Sequence, residues 1–456
     1  MKVVKRIGLL MMVIVLAVSL PVFAADPVGT PQGTGETISL EKCLELAMKN
    51  SKQLQQAAES VKIAQAGVQE ASSGFYPSIG YQAGYQNNPN ALPMYIPAGP
   101  TSLGSNIYSI PNWLEVPTDH GISASISLNQ PLYTGGKLLN FLKLAQIKLA
   151  SAREDERKAK QQLNYNVKEV YYRFWLAEKM LDVAQDAYDN MGRHYQKVSN
   201  LNKAGTASAF DLLQAKVQWD NQKPQLIKAK NGLVLARMNL ATFIGVEQSQ
   251  EFKVEYDPSK LQLPEKVDLT LQTWLDEAYQ KRPELHQIQQ LTEMAEANER
   301  IARAGYLPTV ALSYKYSDQG MDFSSQWMST WTLSFGLSGV IFDGFATQAR
   351  VSAAKDNLNL ARIRESSLKD QIRLETQQAL QTLEENLETI RANQSNLELA
   401  KEALKQIQVR FTAGVATTSD ITDSQLALEQ TLNGYYQGVS SYLTGLAKLD
   451  LIAGRD

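Results

Sequence analysis

Hydrophobic and polar positions follow two different periods along this chain, and the two alternate in blocks. Residues 40–73 and 271–304 place apolar side chains on one face at helical spacing, and each block runs up to a proline, Pro77 or Pro308; they predict amphipathic helices. The period then drops to two. Ile79, Tyr81, Ala83 and Tyr85 alternate with Ser78, Gly80, Gln82 and Gly84, and Ile122, Ala124, Ile126 and Leu128 alternate with serines and Asn129. Val310, Leu312, Tyr314 and Tyr316, then Trp331, Leu333, Phe335 and Leu337, repeat the pattern. These runs predict four strands, about 76–87, 119–132, 307–318 and 328–342, each apolar on one face only.

A much longer helical block follows each strand pair. Over residues 136–202, Leu163, Val167, Val170, Phe174, Ala177, Leu181, Ala184, Tyr188, Met191, Tyr195 and Val198 are spaced four and three apart, the seam of a coiled coil. Ile372, Thr376, Ala379, Leu383, Asn386, Ile390, Asn393, Leu397, Ala400, Leu404 and Ile407 keep the same register further on, with polar interruptions. A turn at Gly205 or Gly414 sends the chain back into another helix, the first of which contains Pro224 and is expected to kink there.

The chain is thus written twice. Leu40, Leu44, Ala47 and Leu54 recur as Leu271, Leu275, Ala278 and Leu285 at an offset of 231, whereas Ala204-Gly205, Asp211 and Gly245 recur as Ala413-Gly414, Asp420 and Gly454 at an offset of 209. The difference is extra length in the first copy, assigned to the Pro-, Gly- and Asn-rich residues 87–118, a long surface loop. Residues 25–245 and 269–456 are read as the two structural repeats and 246–268 as the segment joining them.

Lys2, Lys5 and Arg6 precede an apolar run over residues 7–20 and then Val22-Phe23-Ala24, the pattern of a secretory signal cut after residue 24. Its removal takes the net charge from −2 to −5. The single cysteine, Cys43, lies inside the mature chain, so no N-terminal lipid anchor and no internal disulfide are expected. With Lys+Arg at 45 against Asp+Glu at 47 there is no basic surplus for nucleic acid. Three scattered histidines offer no metal-ligand spacing, and no P-loop, dinucleotide fingerprint, nucleophile elbow or zinc-protease motif occurs. Neither an enzyme nor a cofactor or metal site is expected.

Four strands with one apolar face cannot close a barrel alone, and lipid tolerates no open sheet edge. Three chains of four strands would make twelve, enough for a wide polar pore. Tyr76, Tyr81, Tyr85, Trp327 and Trp331 suit an aromatic belt at the membrane interface. A soluble β-sandwich would use the same residues as core, but strands interrupted by helices of some 65 residues fit that poorly.

The signal, the doubled helix-strand-loop-strand-helix order, the strand exits Tyr133-Thr134-Gly135-Gly136 and Phe342-Asp343-Gly344, and the two Ala-Gly-x5-Asp turns together resemble the TolC-like outer membrane efflux proteins. The resemblance covers essentially the whole mature chain. It implies a mixed α and β membrane protein: a trimeric 12-stranded β-barrel, four strands per chain, continued by a long α-helical coiled-coil barrel into the periplasm. It further implies a homotrimer that serves as passive exit duct of a tripartite efflux or type I secretion system, with outer-membrane lipid, a periplasmic adaptor and an inner-membrane transporter as partners. The competing expectation is a periplasmic coiled-coil scaffold or adaptor protein.

The turns carry the candidate functional residues. Gly205 and Gly414 suit left-handed helix ends, and Ser208 with Asp211, like Thr417 with Asp420, has capping-box spacing. Asp423 has no capping duty and lies one turn beyond Asp420 on the same helix face. The resemblance makes Asp420 and Asp423 two stacked carboxylate rings at the pore constriction, selective for cations. Like charges about 7 Å apart repel by roughly 0.6 kcal/mol in water and about 2.4 kcal/mol at an effective dielectric near 20. Where the best-known family member locks its helices with a tyrosine and an arginine, this chain has Phe411 and Ala416. Asp211 keeps the acidic side of that lock; either Arg410 or Lys203 is its partner, or the closed state is held differently. Gly205, Thr206, Gly414 and Val415 are the implied adaptor contacts.

Overall fold

The computed structural model describes residues 36–87, 94–97, 102–103, 106–107, 113–116, 120–247, 252–254, 270–320 and 327–455. The signal segment and most of the joining segment lie outside them. The chain opens with β1 (Glu36–Ile38), then α1 (Leu40–Asn50) and α2 (Lys52–Ser73). The predicted single helix over 40–73 is therefore two. Ser51 adopts ψ 116, closes α1 through its N–H on Ala47 O, and caps α2 by accepting from Leu54 N. The second block breaks at the matched residue, Arg282, for another reason: Pro283 begins the next helix and disfavours helical geometry in the residue before it. It gives α5 (Leu271–Lys281) and α6 (Pro283–Arg303).

Four strands form one antiparallel sheet in the order β10-β9-β7-β2: β2 (Ser78–Asn87), β7 (His120–Tyr133), β9 (Thr309–Gly320) and β10 (Met328–Ser338). β10 stops at Ser338 rather than running to 342, because Ser338 pairs with Thr309, the first residue of β9, and nothing in β9 remains to pair beyond it. The described residues within the predicted loop 87–118 form two short antiparallel pairs, β3 (Met94–Pro97) with β6 (Trp113–Val116) and β4 (Ser102–Leu103) with β5 (Asn106–Ile107).

The helices that follow the sheet set the length. α3 (Lys137–Lys203) and α7 (Ala346–Thr412) have 67 residues each, about 100 Å at roughly 1.5 Å per residue. They turn back into α4 (Ala209–Ile244) and α8 (Thr418–Ile452). Pro224 does not interrupt α4, which is helical on both sides of it.

The main core lies midway along α3 and α7, against the C-terminal ends of α4 and α8. Leu163, Val167, Tyr171, Phe174 and Trp175 of α3 are buried with Cys43 of α1, Leu240 and Ile244 of α4, Leu383 and Ile390 of α7, and Val439 and Tyr442 of α8. A short parallel ladder, β1 on β8 (Phe252–Val254), closes it, with Phe174 edge-on to Phe252 at 5.6 Å.

Toward the turns, the deepest positions of α3 are Val183, Ala187, Met191, His194 and Val198; Met191 and Val198 are seam positions, whereas Val183, Ala187 and His194 each lie one residue before the seam positions Ala184, Tyr188 and Tyr195. α3 has neighbours on two flanks. Tyr188 and Tyr195, seam positions, pack on Trp219 of α4 at 5.5 and 5.4 Å, while Met191 and His194 face α7 and α8. Residues between two contacts are buried more completely than those serving one.

Candidate functional site

Two regions of the chain concentrate its chemistry: the faces of the sheet and the turns at the far end of the helices. In the sheet, register decides the faces. Tyr81, Ile126, Tyr316 and Trp331 lie in one row across all four strands, and Ile79, Leu128, Tyr314 and Leu333 in the next. Alternating with them run polar rows, Gln82-Ser125-Ser317-Thr330 and Gly80-Ser127-Lys315-Thr332. The apolar face is exposed most on the two outer strands, where Tyr81 is 81% exposed, Phe335 70% and Trp331 68%. Among the described residues β2 and β10 have a partner on one side only, so both edges of a sheet with a large bare apolar face are open.

At the opposite end the two turns have the same construction. The N–H of Gly205 bonds to Asn202 O at 2.9 Å and that of Thr206 to Leu201 O at 2.9 Å; the N–H of Gly414 bonds to Phe411 O at 3.1 Å and that of Val415 to Arg410 O at 3.0 Å. These are Schellman closures, which need a residue of positive φ; Gly205 and Gly414 supply it at +77° and +75°. The next helix is then started by a reciprocal cap. Asp211 Oδ2 accepts from Ser208 N and Oγ at 3.0 and 2.7 Å, and Ser208 Oγ accepts from Asp211 N at 3.1 Å. Asp420 does the same with Thr417, at 2.7, 2.8 and 3.3 Å.

These bonds favour the ionised acids. The Ser208 hydroxyl, then its backbone N–H, hold Asp211 below the usual carboxylate range. Asp420 is lowered first by the Thr417 N–H, then by its hydroxyl, with a contribution from the Arg410 charge. Arg410 therefore acts across its own turn on Asp420. Among the described residues neither Arg410 nor Lys203 forms an ion pair with Asp211 inside the chain. Asp423 is exposed one turn beyond Asp420, and Gly205, Thr206, Gly414 and Val415 are all exposed at the tips.

Phe411 has a role that its side chain alone does not announce. It turns onto α3 of the same chain, edge to face with His194 at a centroid distance of 4.8 Å, and the Lys197 ammonium sits 5.7 Å from its ring centroid. Lys197 also donates to Thr412 Oγ1. Arg193, Lys197 and Lys405 border a cleft of about 340 Å³ here, floored by Met191, Ile421 and Gln425. Burial, and then Lys197, push His194 down to about 4. No sequence spacing pointed to His194, because it occupies the stripe adjacent to the seam; an α3 period counted against two neighbours would have reached it.

Residues 43–246 and 274–455 match the family model described as outer membrane efflux protein. Among curated proteins, Protein CyaE of Bordetella pertussis is 24% identical over 370 residues, covering 80% of this chain and 73% of that one. The alkaline protease secretion protein AprF of Pseudomonas aeruginosa is 22% identical over 341 residues, 73% of this chain and 69% of its own. Among solved structures, the channel CusC superposes with a TM-score of 0.75 at 18% identity, over 96% of this chain and 99% of that chain.

Proposed function

Because this chain belongs to the outer membrane efflux protein family, whose members are channels of the outer membrane reaching into the periplasm, we propose that three copies form the passive exit duct of an efflux or type I secretion assembly. The observation that carries this is the pair of open edges. Strand direction alternates along β10-β9-β7-β2, so β10 of one copy meets β2 of the next antiparallel, and three sheets close into twelve strands with no edge left. The apolar rows then face lipid, with Tyr76, Tyr81, Tyr85, Trp327 and Trp331 as its aromatic belt, and the Ser, Gln and Gly rows face the lumen. The paired long helices continue the wall as a coiled-coil barrel, with residues 25–245 and 269–456 as its two repeats.

The tips are the gate. Asp423, and the oxygen of Asp420 that Thr417 leaves free, form stacked carboxylate rings that narrow the entrance and draw cations. Asp211 Oδ1 accepts no bond among the described residues, and Arg410 or Lys203 of a neighbouring copy is its partner in the closed state. Gly205, Thr206, Gly414 and Val415 meet the periplasmic adaptor, which in turn joins an inner-membrane transporter; Val415 and Phe210, 65% and 72% exposed, give those tips apolar surface to bury.

The test is fractionation combined with conductance. The protein should be found in the outer membrane as a trimer that separates on heating, and Asp420→Ala/Asp423→Ala channels should lose cation preference and block by polyvalent cations. A soluble periplasmic product would favour a coiled-coil scaffold, and unchanged selectivity would sink the gate assignment.

A further inference from the structure

The polar face of the sheet is neutral almost throughout. In β2, β7, β9 and β10 the only Lys, Arg, Asp or Glu residues are Lys315 and Asp318. They stand on opposite faces. Asp318 lies in the row of Ala83, Ala124 and Ser329, near the end of β9, where Ser329 Oγ donates to its Oδ1 at 3.1 Å. Lys315 lies in the polar row, between Ser127 on β7 and Thr332 on β10. Its side chain is exposed, and among the described residues no carboxylate pairs with it.

A lysine is strongly disfavoured on the lipid side of a barrel strand and freely hydrated on the lumen side. Register puts Lys315 on the side where hydration is possible. With no acid in the surrounding polar rows, its charge is uncompensated by any neighbour on that face. We propose that Lys315 makes the barrel section of the duct attract anionic groups, and that it determines specificity for solutes bearing carboxylate, phosphate or sulfate. This rests on the trimeric-barrel reading, in which the three copies of Lys315 form one positive ring. The duct then carries opposite signs in series: carboxylates at the periplasmic tips and ammonium groups in the barrel. The field of such a ring reaches about one Debye length, about 30 Å at 0.01 M salt and about 3 Å at 1 M, so its influence across a wide lumen depends steeply on ionic strength.

Reversal potentials of the full-length trimer in phosphatidylcholine bilayers under a KCl gradient test this. The wild type, Lys315→Gln and Lys315→Glu are compared, each also with Asp423→Asn so that the narrow tips do not mask the barrel. At about 0.01 M KCl the ratio of potassium to chloride permeability should rise for Gln and rise further, by about twofold or more, for Glu; at about 1 M the three should converge. Cysteine labelling tests the facing without conductance. Lys315→Cys should react with a water-soluble anionic methanethiosulfonate and Tyr316→Cys should not, against a silent background, since Cys43 is buried with its thiol pushed up to about 12. Conducting channels indifferent to charge at 315 overturn this inference alone; equal labelling at 315 and 316 overturns it together with the lipid-and-lumen facing on which it rests. A wild type without conductance overturns the duct reading and this inference with it.

Discussion

Phe411 and His194 meet edge to face at 4.8 Å, and this contact fastens the end of α7 to α3. Its environment is one-sided. Arg193 and Lys197 on α3 and Lys405 on α7 border it, α8 contributes Ile421 and Gln425, and among the described residues no acid lines the cleft. His194 is thus held neutral, and its ring packs as an aromatic.

That gives a pH dependence with a definite sign. Burial, then Lys197, lower His194 from 6.5 to about 4, so the unfolded chain binds the proton more readily. The stabilisation is complete above pH 6.5 and is lost as pH falls toward 4. By linkage the loss at pH 5 is on the order of 2 kcal/mol. Melting of the trimer between pH 7 and pH 5 should show it, and His194→Gln should flatten the profile.

Asp420 and Asp423 should separate by their effects on stability. Asp420 is bound into the Thr417 cap, so Thr417→Ala should lower stability by about 1 kcal/mol, and Asp420→Ala should lower it as well. Asp423→Asn, at an exposed residue, should leave melting within about 0.5 kcal/mol and still reduce cation preference. Chemical denaturation beside single-channel recording checks both.

The C-terminal end is tied back by Arg455, whose Nε and Nη2 donate to the two oxygens of Glu277 at 3.1 and 2.7 Å, with the guanidinium 4.4 Å from the Trp274 ring centroid. Hydrogen bonds from Arg455, then from Lys281, bring Glu277 from 4.5 down to about 2. This contribution is present above pH 4.5 and disappears as pH falls toward 2. After allowance for solvent screening, Glu277→Gln should cost about 1 kcal/mol at pH 7, with the difference from wild type vanishing near pH 2.

Facing in the sheet predicts opposite tolerances for neighbouring positions of β10. Phe335→Arg on the apolar row should cost about 2–4 kcal/mol if near the bilayer midplane and should reduce the membrane-inserted trimer. Thr332→Arg on the polar row should assemble normally and alter conductance. Heat-modifiable trimer on gels measures the first, and bilayer recording the second.

Much of this architecture was legible in the residues, because it depends on local periodicity. Alternation named the strands and the faces of Tyr81, Ile126, Tyr316 and Trp331, and the serine, glycine and aspartate spacing of 205–211 and 414–420 identified the turns and their caps. Resemblance in the order of elements reached the family. What stayed hidden depended on neighbours distant in sequence. The deep stripe of α3 runs through Ala187 and His194 rather than Tyr188 and Tyr195, because α4 packs on one flank while α7 and α8 pack on the other.

The sequence by itself determined the two-period pattern, its repetition and the chemistry of each turn, since all of these are set within a few residues of backbone. Only the tertiary structure decided which rows align across four strands, that Lys315 stands on the polar face without an acid beside it, and that Phe411 closes onto His194. Those relations join β7 to β9 and α3 to α7, segments some two hundred residues apart, and no local period carries the register between them.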